Sequence, residues 1–205
     1  MRPHNYAVVL LPAVILLTNA VLLIFSAGFY QHEFEKLGVY SIIEKEHADA
    51  EVRGLQGYFI GKEETLQTAL FNAKERVHLL EVRSLMRKLF FLWISILVLF
   101  LLLLLLHPNF FWVFFWGSLA ALLFIAVIIL VTLPAFSQAF WNFHLVFFED
   151  SSWQLVPGKD ALLTLFPEQF FKDFFVRWMI GSALASVVLA GSAYFLQKFK
   201  RKRQS

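Results

Sequence analysis

Two histidines stand apart from the other four in a chain with six His and no Cys. His78 lies between Glu75 and Glu81, three residues away on either side. On a helix such i±3 neighbours share a face. A carboxylate there could fix the imidazole tautomer and support its basicity, as an orienting acid does beside a proton-transferring histidine. The same spacing also fits a solvated helix face whose His makes an ordinary i±3 contact. His144 has a different setting. At helical spacing its face also presents Ser137, Phe140, Trp141, Phe147, Phe148 and Ser151, with Phe143 adjacent. Burial among rings favours the neutral, base-competent imidazole; a packed histidine with one hydrogen bond is the plainer alternative. A pair of neutral imidazoles at a lipid–water boundary suits proton transfer. His4, His32, His47 and His107 read as surface residues of termini, loops or turns.

Other chemistries lack their parts. Without Cys there is no thiolate nucleophile, thiolate metal site or disulfide. Gly117-Ser118, Gly181-Ser182 and Gly191-Ser192 lack the rest of a nucleophile elbow. No H-E-x-x-H, phosphate loop or dinucleotide fingerprint occurs. His78, His144 and a carboxylate could ligate zinc, but no local ligand spacing supports it, so neither metal nor cofactor is expected.

The elements that must position these residues are membrane helices. Of 205 residues, 59% are hydrophobic and 16% charged, against about 45–50% and about 25% in soluble domains. Four apolar runs, Tyr6–Phe29, Leu89–Leu106, Phe110–Leu133 and Trp178–Leu196, approach the roughly 20 residues that cross a bilayer. His107-Pro108-Asn109 is short enough to make the middle two a hairpin. The first run exceeds the usual signal-peptide core of about 7–15 residues and reads as an uncleaved anchor. The expected fold is an all-α integral membrane protein, one membrane domain over residues 1–205 with four transmembrane helices.

All 15 acids lie in two segments, Glu33 to Glu81 and Glu149 to Asp173. Arg2 and the basic tail Lys198, Lys200, Arg201, Lys202 and Arg203 share the other side with no acid. Positive residues flanking spans stay cytoplasmic. Both termini are therefore expected in the cytoplasm, including the tail at 197–205, with segments 30–87 and 135–177 as two extracytoplasmic loop or helical subdomains. The tail reads as topology and anionic-lipid contact, not nucleic-acid binding. The spans hold no acid and no Lys, so an ion path across the membrane lacks its usual groups. Residues 62–88 lack Gly and Pro and read as one helix entering span two, while Gly38, Gly54, Gly57 and Gly61 read as breaks. From Pro167 onward, Phe170, Phe171, Phe174, Phe175 and Trp178 recur at helical spacing, as in an amphipathic helix lying in the headgroup plane.

The run Asn142-Phe143-His144-Leu145-Val146-Phe147-Phe148, then Trp153, Pro157, Asp160, Leu162 and Leu165-Phe166-Pro167 with Phe170-Phe171, resembles the lipoprotein intramolecular transacylase (Lit) family. Glu75-x-x-His78-x-x-Glu81-Val82 resembles that family's other motif, with Leu79 where Met is expected and Glu81 where Asp is expected. The four-span plan agrees, so the likeness covers nearly the whole chain. The resemblance implies transfer of the sn-2 acyl chain of a diacylglyceryl-cysteine to that cysteine's own α-amino group, giving an N-acyl, S-monoacylglyceryl (lyso-form) lipoprotein. The partners implied are the diacylglyceryl lipoprotein substrate and membrane lipids, in a bacterial cell membrane with the site on the outer face. It also implies His78 and His144 as the proton-transfer pair, in an order the sequence leaves open. Glu75 or Glu81 would orient His78. Trp153 with Phe143, Phe147 and Phe148 would receive acyl chains, and Asp160 or Arg83 would hold the peptide or glyceryl group. Two other readings stay open: a non-catalytic membrane scaffold that docks a partner on its aromatic loop, and a metal-dependent lipid hydrolase.

Overall fold

The computed structural model describes residues 6–66, 68–106, 109–148 and 151–202. The hairpin turn expected at His107 and Pro108 lies outside them, as do Arg2, His4, Glu149 and Arg203. Among the described residues all regular structure is helical: α1 (Tyr6–Ile24), α2 (Ala27–Lys36), α3 (Lys45–Ile60), α4 (Ala73–Leu105), α5 (Phe110–Thr132), α6 (Phe136–Phe147), α7 (Ala161–Leu165) and α8 (Glu168–Lys202). Four stretches are long and apolar enough to cross a membrane: Tyr6–Ile24, Ala73–Leu105, Phe110–Phe147 and Glu168–Lys200. The chain is a multi-pass membrane protein, and it divides into two compact units.

The first unit comprises Met1–Val21, Phe91–Pro134 and Val176–Ser205. Pro12 lies inside α1 and has no N–H, so the Val8 carbonyl receives no helical bond from it. A Cβ at Gly117 on α5 would fall 2.8 Å from Leu11 Cδ2 and 3.2 Å from the Val8 oxygen. Only glycine permits that approach, which is how small residues join helices where lipid removes any hydrophobic drive. Two indoles bond across helices. Trp93 Nε1 donates to Thr18 Oγ1 at 3.0 Å, and Trp178 Nε1 donates to the Leu16 carbonyl at 2.7 Å.

The second unit comprises Leu22–Phe90 and Ala135–Phe175. Four boundaries here differ from the sequence expectation. The first apolar run breaks before Phe29, because Ser26 caps α2 by accepting from Phe29 N. The Ile24 carbonyl at the end of α1 is met by Tyr30 Oη at 2.9 Å and Gln56 Nε2 at 2.8 Å. Gly54 and Gly57 do not break the chain; they lie inside α3, which ends at Gly61 with φ +81°. The helix expected from Lys62 starts only at Ala73, for a reason given below. Finally, Glu168–Lys202 is one unbroken helix, so no separate headgroup-plane helix precedes the fourth span.

The core of this unit includes Phe34, Val52, Phe71, Leu79, Leu165 and Phe170. Burying each such side chain contributes about 1.5–3 kcal/mol. Leu79 follows His78 directly and is 4% exposed, so its burial fixes the rotation of α4 about its axis and hence the direction of the next side chain.

Candidate active site

Glu75 explains where α4 begins. Its backbone N–H donates to Asn72 Oδ1 at 3.0 Å, and Glu75 Oε2 accepts from Asn72 N at 2.8 Å. This is a capping box, with each side chain satisfying the other's backbone donor. The second carboxylate oxygen, Oε1, accepts from Leu162 N at 2.7 Å, and the residue is 1% exposed. Asn72 Nδ2 also donates to Asp160 Oδ1 at 2.7 Å, while Asp160 Oδ2 accepts from Val156 N at 2.6 Å. The Val156 N–H holds the Asp160 carboxyl below its usual range, with the Asn72 amide adding to it against the cost of burial. These bonds join the start of α4 to the segment before α7. Glu75 and Asp160 are thus committed to backbone and amide donors. Arg83 is similarly committed: Nη1 and Nη2 donate to the Glu64 and Glu63 carbonyls at 2.9 and 3.0 Å. Its guanidinium lies 4.2 Å from the Tyr58 ring centroid.

One turn into α4, His78 is 9% exposed, and its Nδ1 lies 3.8 Å from Glu81 Oε2. Of the two flanking acids, the structure places Glu81 beside the imidazole. The Phe148 ring meets His78 edge-on at 4.8 Å between centroids. His144, near the end of α6, brings its own ring to 6.1 Å from that of His78, with 30° between the planes. The two middle apolar runs, Leu89–Leu106 and Phe110–Leu133, separate the two histidines in sequence; the fold makes them neighbours.

His144 Nδ1 lies 2.8 Å from the Phe140 carbonyl oxygen. A carbonyl can only accept, so Nδ1 carries the hydrogen, and in the neutral ring Nε2 keeps the lone pair. Phe140, Phe148 and Trp153 rings lie 4.5, 5.3 and 5.1 Å from it, and Trp141 packs on Trp153 at 4.7 Å. Burial lowers the affinity of this imidazole for a proton, and the net shift is downward despite the opposing Phe140 bond. Phe148, 6% exposed, touches both histidines. Phe143 lies 5.6 Å from His144, and the half-exposed Phe147 packs on Phe143 at 4.7 Å.

The site therefore gathers His78, Glu81, His144, Phe148 and Trp153, with Phe143 at its flank. Sequence reasoning missed Asn72, although Asn three residues before Glu is a helix-start signature. It also missed Ser152, which bonds Glu81 and has no local signal. Among the described residues, no three His, Asp or Glu side chains group as metal ligands.

A family model described as lipoprotein intramolecular transacylase Lit matches residues 6–171. The chain belongs to this family. Lit is an acyltransferase family, and the chain is accordingly an enzyme that modifies lipoproteins. The fold agrees with a solved structure of the membrane-integral Lit of Bacillus cereus, with a TM-score of 0.79 and 18% identity over 98% of both chains. Two further structures of that protein, each with one histidine substituted, give TM-scores of 0.72 and 0.71 at 18% and 19% identity. They cover 98% of this chain and 96% and 94% of theirs. At such identity the likeness is one of fold. No curated protein sequence matches.

Proposed function

We propose that this Lit-family chain moves the sn-2 acyl group of a lipoprotein's diacylglyceryl-cysteine to the same cysteine's α-amino nitrogen, on the outer face of a bacterial cytoplasmic membrane. His144 acts as base and His78 as acid. The observation carrying this reading is one pair of imidazoles, 6.1 Å apart and both against the Phe148 ring. Of the two, His78 has the carboxylate of Glu81 beside it and His144 has the Phe140 carbonyl. Groups whose surroundings drive their protonation apart identify acid and base. His144 is walled by rings, has its Nδ1 hydrogen on a carbonyl and leaves Nε2 to accept. His78 has a carboxylate at 3.8 Å, which offsets the charge of an imidazolium.

The α-amine, with a pKa near 7.7–8.0 in peptides, attacks the ester carbonyl carbon as the neutral form. Its N–H proton passes to His144 Nε2. The tetrahedral intermediate collapses as the bond from carbonyl carbon to glyceryl oxygen breaks, and that oxygen takes a proton from His78. Return of the proton from His144 to His78 resets the pair. One amide forms, one ester is lost, and no water is consumed. Nucleophile and ester belong to one molecule, so the enzyme mainly holds a near-attack geometry and needs no acyl-enzyme. Phe143, Phe147, Phe148 and Trp153 take the acyl chains, while Glu75, Asp160 and Arg83 keep the walls in place. The partners are the lipoprotein and surrounding lipid.

Mass spectrometry of a lipoprotein's N-terminal peptide, from cells with and without this protein, tests the reading. An acyl group on the α-nitrogen at unchanged total acyl count, only when the protein is present, is the expected result. An unchanged diacylglyceryl N-terminus in both would remove it.

A further inference from the structure

Glu81 has a second partner besides His78. Ser152 Oγ donates to Glu81 Oε2 at 2.5 Å, and this is the same oxygen that lies 3.8 Å from His78 Nδ1. Ser152 is 5% exposed and comes from the segment between α6 and α7. The glutamate side chain is about a quarter exposed and has three rotatable torsions, so water and alternative rotamers compete for its carboxylate. A buried hydroxyl on one oxygen limits that competition. The next residue, Trp153, lies 5.1 Å from His144. Two consecutive residues therefore reach the two imidazoles, one through a carboxylate and the other through ring contact.

We propose that Ser152 is a positioning residue for transacylation: its hydroxyl holds the Glu81 carboxylate toward His78, and its peptide bond to Trp153 ties that alignment to the ring against His144. The inference rests on the transacylase reading above. It concerns a residue that touches neither reacting atom, so its removal acts on turnover and not on substrate capture.

The test uses the full-length protein in detergent with a synthetic diacylglyceryl-cysteine lipopeptide, following N-acylation by mass spectrometry. In Ser152→Ala, kcat falls about tenfold, the scale of one hydrogen bond to a charged group, while KM stays within about twofold. In a Glu81→Ala background, which has no acceptor for the hydroxyl, the same substitution changes kcat by less than about twofold, because the Ser152–Glu81 bond is already gone. Ser152→Thr, which keeps a hydroxyl, retains more activity than Ser152→Ala. Wild-type kcat in Ser152→Ala, or losses that multiply in the double variant, would overturn the proposal. So would a fall in kcat that merely follows a lowered melting temperature. Failure of the wild-type protein to N-acylate the lipopeptide is a separate outcome; it removes the transacylase reading and this inference with it.

Discussion

In the unit containing Met1–Val21, polar side chains are few and bond singly where they bond; the buried Ser118 and Ser182 hydroxyls meet no acceptor or donor among the described residues. Trp93 meets Thr18, Trp178 meets one helical carbonyl, and Ser186 Oγ donates to the Ser182 carbonyl at 2.8 Å. Close approach at Gly117 supplies the rest. The unit containing the histidines buries whole networks: Asn72 with Glu75, Asp160, Val156 and Leu162, and Glu81 with Ser152 and His78. A bundle held by packing can be altered by apolar exchange, because its contacts are many and individually small. A networked unit fixes particular atoms, and losing one partner leaves another buried and unsatisfied. Proton transfer needs the second kind of order, since a displacement of about 1 Å is costly to catalysis.

The difference can be broken most severely at Glu75. Glu75→Ala strands two backbone N–H groups, of Asn72 and Leu162, and should cost about 3 kcal/mol of stability. It also frees the first turn of α7 from the start of α4. Thermal unfolding in detergent measures the first effect. Limited proteolysis between α6 and α7 reports the second, and Glu75→Gln should fall between wild type and Ala.

A steric test follows in the other unit. Gly117→Val puts carbon where Leu11 and the Val8 carbonyl already stand and should destabilise by about 1–3 kcal/mol. Turnover per folded molecule should change little. A large fall in kcat without loss of stability would blur the contrast between the units.

The smallest effect is in pH. His144 must be neutral to accept a proton, and its affinity for protons is lowered by burial. Activity falls as pH drops through the α-amine's value of about 7.7–8.0, and a second acid limb, that of His144, lies below the ordinary imidazole value of 6.5. Trp153→Ala, by admitting water to the ring, should move this second limb toward the ordinary value. A pH–kcat profile of the two proteins checks both the position and the direction.

Composition and apolar run length revealed the four long helices, because lipid selects a stretch by its length and hydropathy alone. His78 and His144 were legible as candidates because Glu81 and Phe140 lie at helical spacing from them. Their approach to each other, and the contacts of Phe148 with His78 and of Trp153 with His144, come from tertiary packing that no local spacing marks. Glu75 was legible as a partner of something but not of what. Its i−3 relation to His78 competes with its i+3 relation to Asn72, and the backbone donors at Asn72 and Leu162 occupy it. Asp160 and Arg83 had the right charge for a substrate, yet their oxygens and nitrogens meet peptide groups that no sequence pattern marks. The continuous α8 shows the same limit. Phe170 to Trp178 have one apolar face whether the helix lies flat or continues, and periodicity does not distinguish the two.

The most direct measurement uses purified full-length protein and a lipopeptide with an isotopic label in its sn-2 acyl chain only. For wild type, the label should appear on the cysteine α-nitrogen with the total acyl count unchanged. His144→Ala and His78→Ala should each slow this by about 100-fold or more, while Leu80→Ala, at an exposed position of α4, should keep most of the rate. Label transferred by both histidine variants at the wild-type rate would contradict proton transfer by this pair. Label released as free fatty acid would show hydrolysis in place of intramolecular transfer.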